Sequence, residues 1–151
     1  MKFALDSNII LYFEGLNDLQ RQSVAVKLVE RIGTPNLVVP VQALAECISQ
    51  LGRAPGWTRA EARSQIGSWF ARFNTQDTTR AVFEHAQTLT AEHGFQIFDG
   101  IILSAAQASG SSVLISEDMQ DGFTWRGVTI VNPFAKITHP LIASILETKI
   151  H

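Results

Sequence analysis

A chain of 151 residues has the size of one compact domain and can bury a core without disulfides or metals to staple it. Its 46% apolar and 17% charged content excludes a disordered or fibrous chain, and its net charge of −2 excludes a binder that relies on a wholly basic surface. Cys47 is the only cysteine, which excludes an internal disulfide and a cysteine-rich zinc site and suits a reducing compartment.

Lys2–Asp6 reads as a short buried strand with Asp6 at its C-terminal end, and Ser7 starts a short helix over Asn8–Leu11. The apolar stretch Met1–Phe13 is interrupted by Asp6 and lacks a small-residue cleavage pattern. No later segment reaches the roughly 18 apolar residues of a membrane span. A soluble, cytoplasmic protein without membrane contact is the expectation. From Asp18 to Ile32, Val24, Leu28 and Ile32 mark one helical face, which Gly33-Thr34-Pro35 stops. Asn36–Val39 is a second strand. Pro40 suits the first turn of the helix that runs over Val41–Leu51 and carries Glu46.

Gly52–Gly56 is a loop, after which Thr58 with Glu61 three residues on forms a capping-box pattern for a helix reaching about Phe73. Ile66, Trp69, Phe70 and Phe73 recur on it at helical spacing, as a core face or as a surface for a partner or for RNA stacking. Gln76–Thr78 is read as a short strand and Thr79–Glu92 as a helix ending near Gly94. Asp99 opens a buried helix over Gly100–Ala108, which Gly110 closes. Val113–Ile115 is a strand that delivers Ser116, Glu117 and Asp118 at its end. Asp121-Gly122 is a turn, Val128–Val131 a last strand, and a terminal helix begins near Pro140.

Strands alternating with helices imply a mostly parallel sheet with helices on both faces. Ligands bind such sheets outside the carboxyl ends of the strands, where Asp6 and Asp118 fall. Positive charge concentrates between Arg53 and Arg80, where Arg53, Arg59, Arg63, Arg72 and Arg80 stand against Glu61 and Asp77 for a local charge of +3. Arg59 and Arg63 suit a solvated helix face or phosphate contacts.

Asp6, Glu46, Asp99 and Asp118 each follow an apolar run, where a carboxylate is rarely buried unpaired, and no Lys or Arg lies in these local segments. The bland alternatives are helix capping for Asp6 and Asp99, a solvent-facing helix position for Glu46 and a turn start for Asp118. If the four converge, each pair at about 4 Å repels by roughly 4 kcal/mol at an effective dielectric near 20. A divalent cation removes that penalty, and an oxygen-only donor set without Cys or a His pair points to Mg2+ or Mn2+. One or two such ions can activate water for in-line displacement at phosphorus. Cys47 has no neighbouring His and is read as a buried structural thiol; His85, His93, His139 and His151 lack metal-ligand spacing.

Four segments occur in order: Leu5-Asp6-Ser7-Asn8-Ile9-Ile10-Leu11-Tyr12, Ala45-Glu46, Phe98-Asp99-Gly100-Ile101-Ile102-Leu103-Ser104-Ala105-Ala106, and Leu114-Ile115-Ser116-Glu117-Asp118-Met119-Gln120-Asp121-Gly122. Together with Val131-Asn132-Pro133-Phe134 they make the chain resemble the PIN-domain family, and within it the VapC-like toxins of bacterial toxin–antitoxin pairs. The resemblance implies an α/β three-layer sandwich over residues 1–134; beyond it, 135–151 is expected as a C-terminal tail with a short docked helix. It also implies metal-dependent endoribonuclease activity, with Asp6, Glu46, Asp99 and Asp118 holding Mg2+ or Mn2+ and Asn8, Ser116, Glu117 and Asp121 as auxiliary polar groups. An RNA substrate, an antitoxin protein and a homodimer are implied by likeness alone. Segment Gly52–Gln76 supports little transfer.

Two other uses of strand-end aspartates do not fit. A haloacid-dehalogenase-like phosphatase needs a second Asp two residues after the first, where this chain has Asn8. A phosphoacceptor receiver needs a strand-end Lys, and lysines occur only at Lys2, Lys27, Lys136 and Lys149. The non-enzymatic alternative is a PIN scaffold that binds RNA or protein without cutting.

Overall fold

Phe3–Leu5 and Val113–Ile115 are short, wholly apolar runs, and in the computed structural model, which describes residues 1–16 and 18–147, both are buried at the centre of a six-stranded sheet. β1 (Phe3–Leu5) pairs in parallel with β2 (Leu37–Pro40) on one side and with β4 (Val113–Ile115) on the other. The full order is β3-β2-β1-β4-β6-β5, with β3 at Asn74–Gln76, β5 at Thr124–Trp125 and β6 at Val128–Val131. Only the β5–β6 pair is antiparallel. Parallel strands covered on both faces read as continuous apolar runs, which is why β1, β2 and β4 were visible from composition.

The chain winds outward from β1 through β2 to β3, then returns to the far side of β1 as β4. Right-handed crossovers put the helices of the first leg on one face and those of the return on the other. On the first face lie α1 (Ser7–Phe13), α2 (Leu19–Ile32), α3 (Val41–Leu51) and α4 (Arg59–Arg72). On the second lie α5 (Arg80–His93) and α6 (Ile97–Ala108), whose mutual contact is the most extensive between any two elements. The result is the expected three-layer α/β sandwich. Between β1 and β4 the strand order reverses, and there the carboxyl ends of neighbouring strands splay into a crevice.

The sequence places most elements to within a residue or two. The Thr58–Glu61 capping box forms with both of its hydrogen bonds. Ile66, Trp69 and Phe73 are buried in the core, whereas Phe70 is half exposed. Pro40 is the last residue of β2 and the N-cap of α3 rather than its first turn. β3 lies two residues earlier than expected, because its register against β2 is set at Val38 and Asn74 and the polar edge sequence carries no apolar signal. β5 was not foreseen. It is closed by Arg126 and Gly127, both at positive φ, the geometry of a two-residue hairpin turn that follows the sheet's twist.

α6 begins at Ile97 and not at Asp99. Gln96 is its N-cap, the side-chain oxygen accepting the N–H groups of Phe98 and Asp99. Gly100 then lets α6 approach α5 closely, since a Cβ there would stand 3.2 Å from the Ala86 carbonyl oxygen. α7 (Pro140–Glu147) packs on α2 and buries Ile142. Residues 148–151, the end of the expected tail with His151, lie outside the described residues. Among the described residues no helix is long and apolar enough to cross a membrane.

Candidate active site

β1 ends at Leu5, and Asp6 caps the helix that follows, so the chain geometry delivers its carboxylate straight into the β1/β4 crevice. Asp6 is only 3% exposed. Its Oδ1 accepts the Ser7 N–H at 2.7 Å and its Oδ2 accepts the Ser116 hydroxyl at 2.7 Å. Those bonds favour the ionised form, but burial outweighs them. With Glu46 and Asp99 adding repulsion, the carboxyl is pushed from 3.8 to about 7. The capping reading and the site reading therefore hold for the same side chain.

Glu46 on α3 reaches the same place through Ser7. The Ser7 hydroxyl donates to Glu46 Oε2 at 2.7 Å, and since it carries one proton its 3.5 Å approach to Asp6 Oδ1 is a contact rather than a second bond. Asp99, freed from capping by Gln96, is raised above the usual carboxylate range first by burial, then by Glu46 and Asp118. Asp118 lies just past β4 and is exposed. Asn8 holds it: Nδ2 donates to Asp118 Oδ2 at 3.0 Å, while Asn8 Oδ1 accepts the Glu117 N–H at 3.3 Å. One amide thus ties α1 to the loop after β4.

The remaining expected residues have other company. Glu117 accepts from the Tyr12 hydroxyl and from Arg21 Nε, each at 2.6 Å, and Arg21 also pairs with Asp18 at 3.0 Å. Burial and this carboxylate push the Tyr12 phenol up to about 12. Asp121 accepts the Asn132 N–H at 2.8 Å, which pins the return from β4 to the chain after β6. Neither residue offers a carboxylate free of protein partners. Arg21, Tyr12 and Ser7 were missed from the sequence; only Ser7, beside Asp6, carried a local signal.

The four acids share one neighbourhood but do not form a closed cage. Among the described residues no three Asp, Glu, His or Cys side chains are arranged as a group that could hold an ion. Their chemistry suits a hard cation all the same. Every available donor is oxygen, and Mg2+ is commonly held by one or two carboxylates while keeping several waters. The donor set fits such a loosely held ion. Cys47 is buried, its thiol pushed up by burial, and it donates to the Ser7 carbonyl, so it is no nucleophile.

The basic region is dispersed. Arg80 pairs with Glu84 at 2.9 Å, Arg72 lies over the rings of Phe13 and Phe73, and Arg53 donates to Ser49. Arg53 and Arg59 flank a groove of about 460 Å3 between α3 and α4. On α3, Glu46, Ser49 and Gln50 follow the i, i+3, i+4 spacing of one helix face, and Arg53, just past the Gly52 C-cap, folds its guanidinium back onto Ser49. A polar strip therefore leads from the acids to that groove.

The PIN domain family model matches residues 3–121. No curated protein matches the sequence. Among solved structures, a toxin–antitoxin complex from Klebsiella pneumoniae superposes with a TM-score of 0.64 at 19% identity, covering 85% of this chain and 96% of that one. VapC20 of Mycobacterium tuberculosis, described as a sarcin-ricin loop cleaving toxin, gives 0.63 at 14% identity, covering 75% and 87%. VapBC2 of Rickettsia felis, bound to a DNA fragment from its promoter, gives 0.61 at 16% identity, covering 86% and 97%.

Proposed function

The chain belongs to the PIN-domain family, and from that premise we propose that it is a Mg2+- or Mn2+-dependent endoribonuclease, the toxin of a toxin–antitoxin pair. The carrying observation is Asp6: a carboxylate buried at the switch point of the sheet, with Glu46, Asp99 and Asp118 around it and none of the four paired with a cation among the described residues. Burying uncompensated acid is costly unless a cation joins it.

In this reading Asp6, Glu46, Asp99 and Asp118 hold the ion. When bound, the ion supplies Lewis-acid stabilisation of charge at the phosphoryl group and lowers the pKa of water. Ser116 and Ser7 fix the rotamers of Asp6 and Glu46, so that their oxygens face the crevice before substrate arrives. Asn8 sets the position of Asp118. Arg21 neutralises Glu117 and keeps that carboxylate out of the cluster. The strip along α3, continued past its end by Arg53 and by Arg59 at the start of α4, gives the phosphate backbone a path away from Glu46. Water attacks phosphorus, its new P–O bond replacing the bond to the 3′-oxygen, which leaves as a hydroxyl with the proton that water gives up, and no covalent enzyme intermediate forms.

RNA as substrate is supported by the description of the Mycobacterium tuberculosis neighbour, and an antitoxin protein by the complexes from Klebsiella pneumoniae and Rickettsia felis. Homodimerisation, a cytoplasmic setting and a nuclease unit over residues 1–134 with 135–151 as an appendage complete the reading. The open arrangement of the acids is the one observation favouring a non-catalytic PIN scaffold that binds RNA or protein. Cleavage of total RNA with and without Mg2+ or Mn2+ decides between them. The wild type should cut only with metal, and Asp6→Asn combined with Asp99→Asn should not cut. Equal activity of wild type and double variant would sink the nuclease mechanism.

A further inference from the structure

Beside the acids lies a cleft that ion binding uses at one end only. It measures about 180 Å3 and opens between the α5–α6 turn and the turn after β4. Asp99 and Asp118 form one end, and His93, Phe95, Gln96 and Gln120 line the rest. Pockets for drug-sized ligands start near roughly 300 Å3, so this one admits a single planar ring system beside the carboxylates and little more.

Its walls have the chemistry of a ring binder. Phe123 lies behind both aromatic residues, 5.3 Å from the His93 ring at 69° and 5.1 Å from the Phe95 ring at 56°, so the rings are braced by packing. Gly94, at φ +71°, reverses the chain between them, and the αL backbone there is one that side chains rarely tolerate. The Gln96 amide is oriented by the bonds its oxygen accepts from Phe98 and Asp99, at 3.0 and 3.2 Å, which leaves its NH2 to donate. The Gln120 side chain has no hydrogen-bond partner among the described residues. Sequence-specific recognition of RNA works on unpaired bases that stack on aromatic rings and bond along their edges.

We infer that this cleft seats one unpaired nucleobase of the RNA, next to the bond that is cut. His93 and Phe95 form its stacking platform, and the Gln96 and Gln120 amides read its edge. The inference rests on the nuclease reading. Because Asp99 and Asp118 belong to both the cleft and the acid group, the seated base is that of a nucleotide adjoining the reacting phosphate. An edge rich in acceptors is favoured, since Gln96 can only donate.

The test has two arms that use the full chain. In the first, wild type, His93→Ala and Gln120→Ala cut a randomised single-stranded RNA pool with Mg2+ or Mn2+, and the cut sites are sequenced. The wild type should show one dominant base at a position beside the cut, and each variant should reduce that preference by about fivefold or more while still cutting. In the second, with chelator present and no cleavage, fluorescence anisotropy follows binding to four labelled oligonucleotides that differ at that one position. If the wild type cuts nothing, a pool enriched for binding defines the position. The wild type should prefer one of them, and His93→Ala should weaken that complex by roughly five- to 150-fold. Cutting with the same base preference in wild type and both variants overturns the base site and leaves the nuclease standing. A wild type that never cuts removes the nuclease reading, and equal affinity for all four oligonucleotides then overturns the base site as well.

Discussion

Asp6→Asn changes a charge and almost nothing else, and its consequence for stability has a definite sign. In the folded chain the Asp6 carboxyl is raised from 3.8 to about 7, chiefly by burial. A carboxyl raised on folding contributes stability that is complete below 3.8 and lost as pH rises through about 7. Each pH unit in which the folded state holds one proton more than the unfolded state is worth 1.36 kcal/mol. From pH 5 to pH 8 the wild type should therefore lose about 3 kcal/mol, or roughly 10 °C in Tm for a chain of this length. Asp99 is raised as well and acts in the same direction. Asp18 is lowered, and the stability it contributes is lost only as pH falls below 3.8, outside this window.

The asparagine keeps both local bonds available, because its carbonyl can accept the Ser7 N–H and its NH2 can donate to the Ser116 hydroxyl, which also accepts. With chelator present, Asp6→Asn should flatten most of the slope and exceed the wild type in Tm at pH 8. Added Mg2+ should restore the wild type at pH 8, by about 2.7 kcal/mol at a hundredfold excess over Kd, and should do much less for the variant. Urea or thermal denaturation by circular dichroism at pH 5 and 8, with chelator or Mg2+, reads all four corners. A wild type equally stable at both pH values in chelator, or a variant that keeps the full slope, would refute the argument.

Three other perturbations separate the site from its supports. Ser116→Ala removes the bond that most favours ionised Asp6, so the pH at which stability falls should move up by about one unit, and Mg2+ at pH 7 should stabilise less than in wild type. Gly100→Ala sets a methyl 3.2 Å from the Ala86 carbonyl oxygen; since the neighbour is backbone, α5 and α6 must part, and urea unfolding should show a loss of about 1–3 kcal/mol. Glu14→Ala leaves the buried Trp69 indole N–H without the acceptor it has at 2.7 Å, costing about 1–3 kcal/mol with the pH slope of the wild type unchanged.

Legibility from sequence followed the range of each interaction. β1, β2 and β4 carry apolar runs, and Thr58 with Glu61 is a local signal, so these could be placed. β3 and β5 are short edge strands whose positions are set by register and by a two-residue turn, which leave no period in the chain. At α6 the local signal misled: Asp is a common cap and Gln is not, yet Gln96 takes that place. The nearness of Asp6 and Asp118 was legible because strand ends and topology fix it, whereas Glu46 on α3 and Asp99 on α6 were joined to them by apolar context and by the family's motifs. The fate of Glu117, in the loop after β4, was not legible, since its partner Arg21 lies 96 residues away on α2.

That distant arginine bears on why the acids should be read as functional. Arg21 is ion-paired to Glu117, the neighbour of Asp118, and it lies against Asp18 and Glu117, not against Asp6, Glu46 or Asp99. Had the fold needed only electrostatic relief, an arginine aimed at Asp6, or an apolar residue in its place, would have been the more stable choice. The hydroxyls of Ser7 and Ser116 instead orient the carboxylates without neutralising them. Such an arrangement gathers acidic groups in a crevice without a basic partner, raises the carboxyl groups of Asp6 and Asp99, and lowers stability in a way that the proposed cation would relieve. The same unrelieved charge therefore underlies both the pH slope expected of the free protein and its expected stabilisation by Mg2+, which is why one substitution, Asp6→Asn, should diminish the two together.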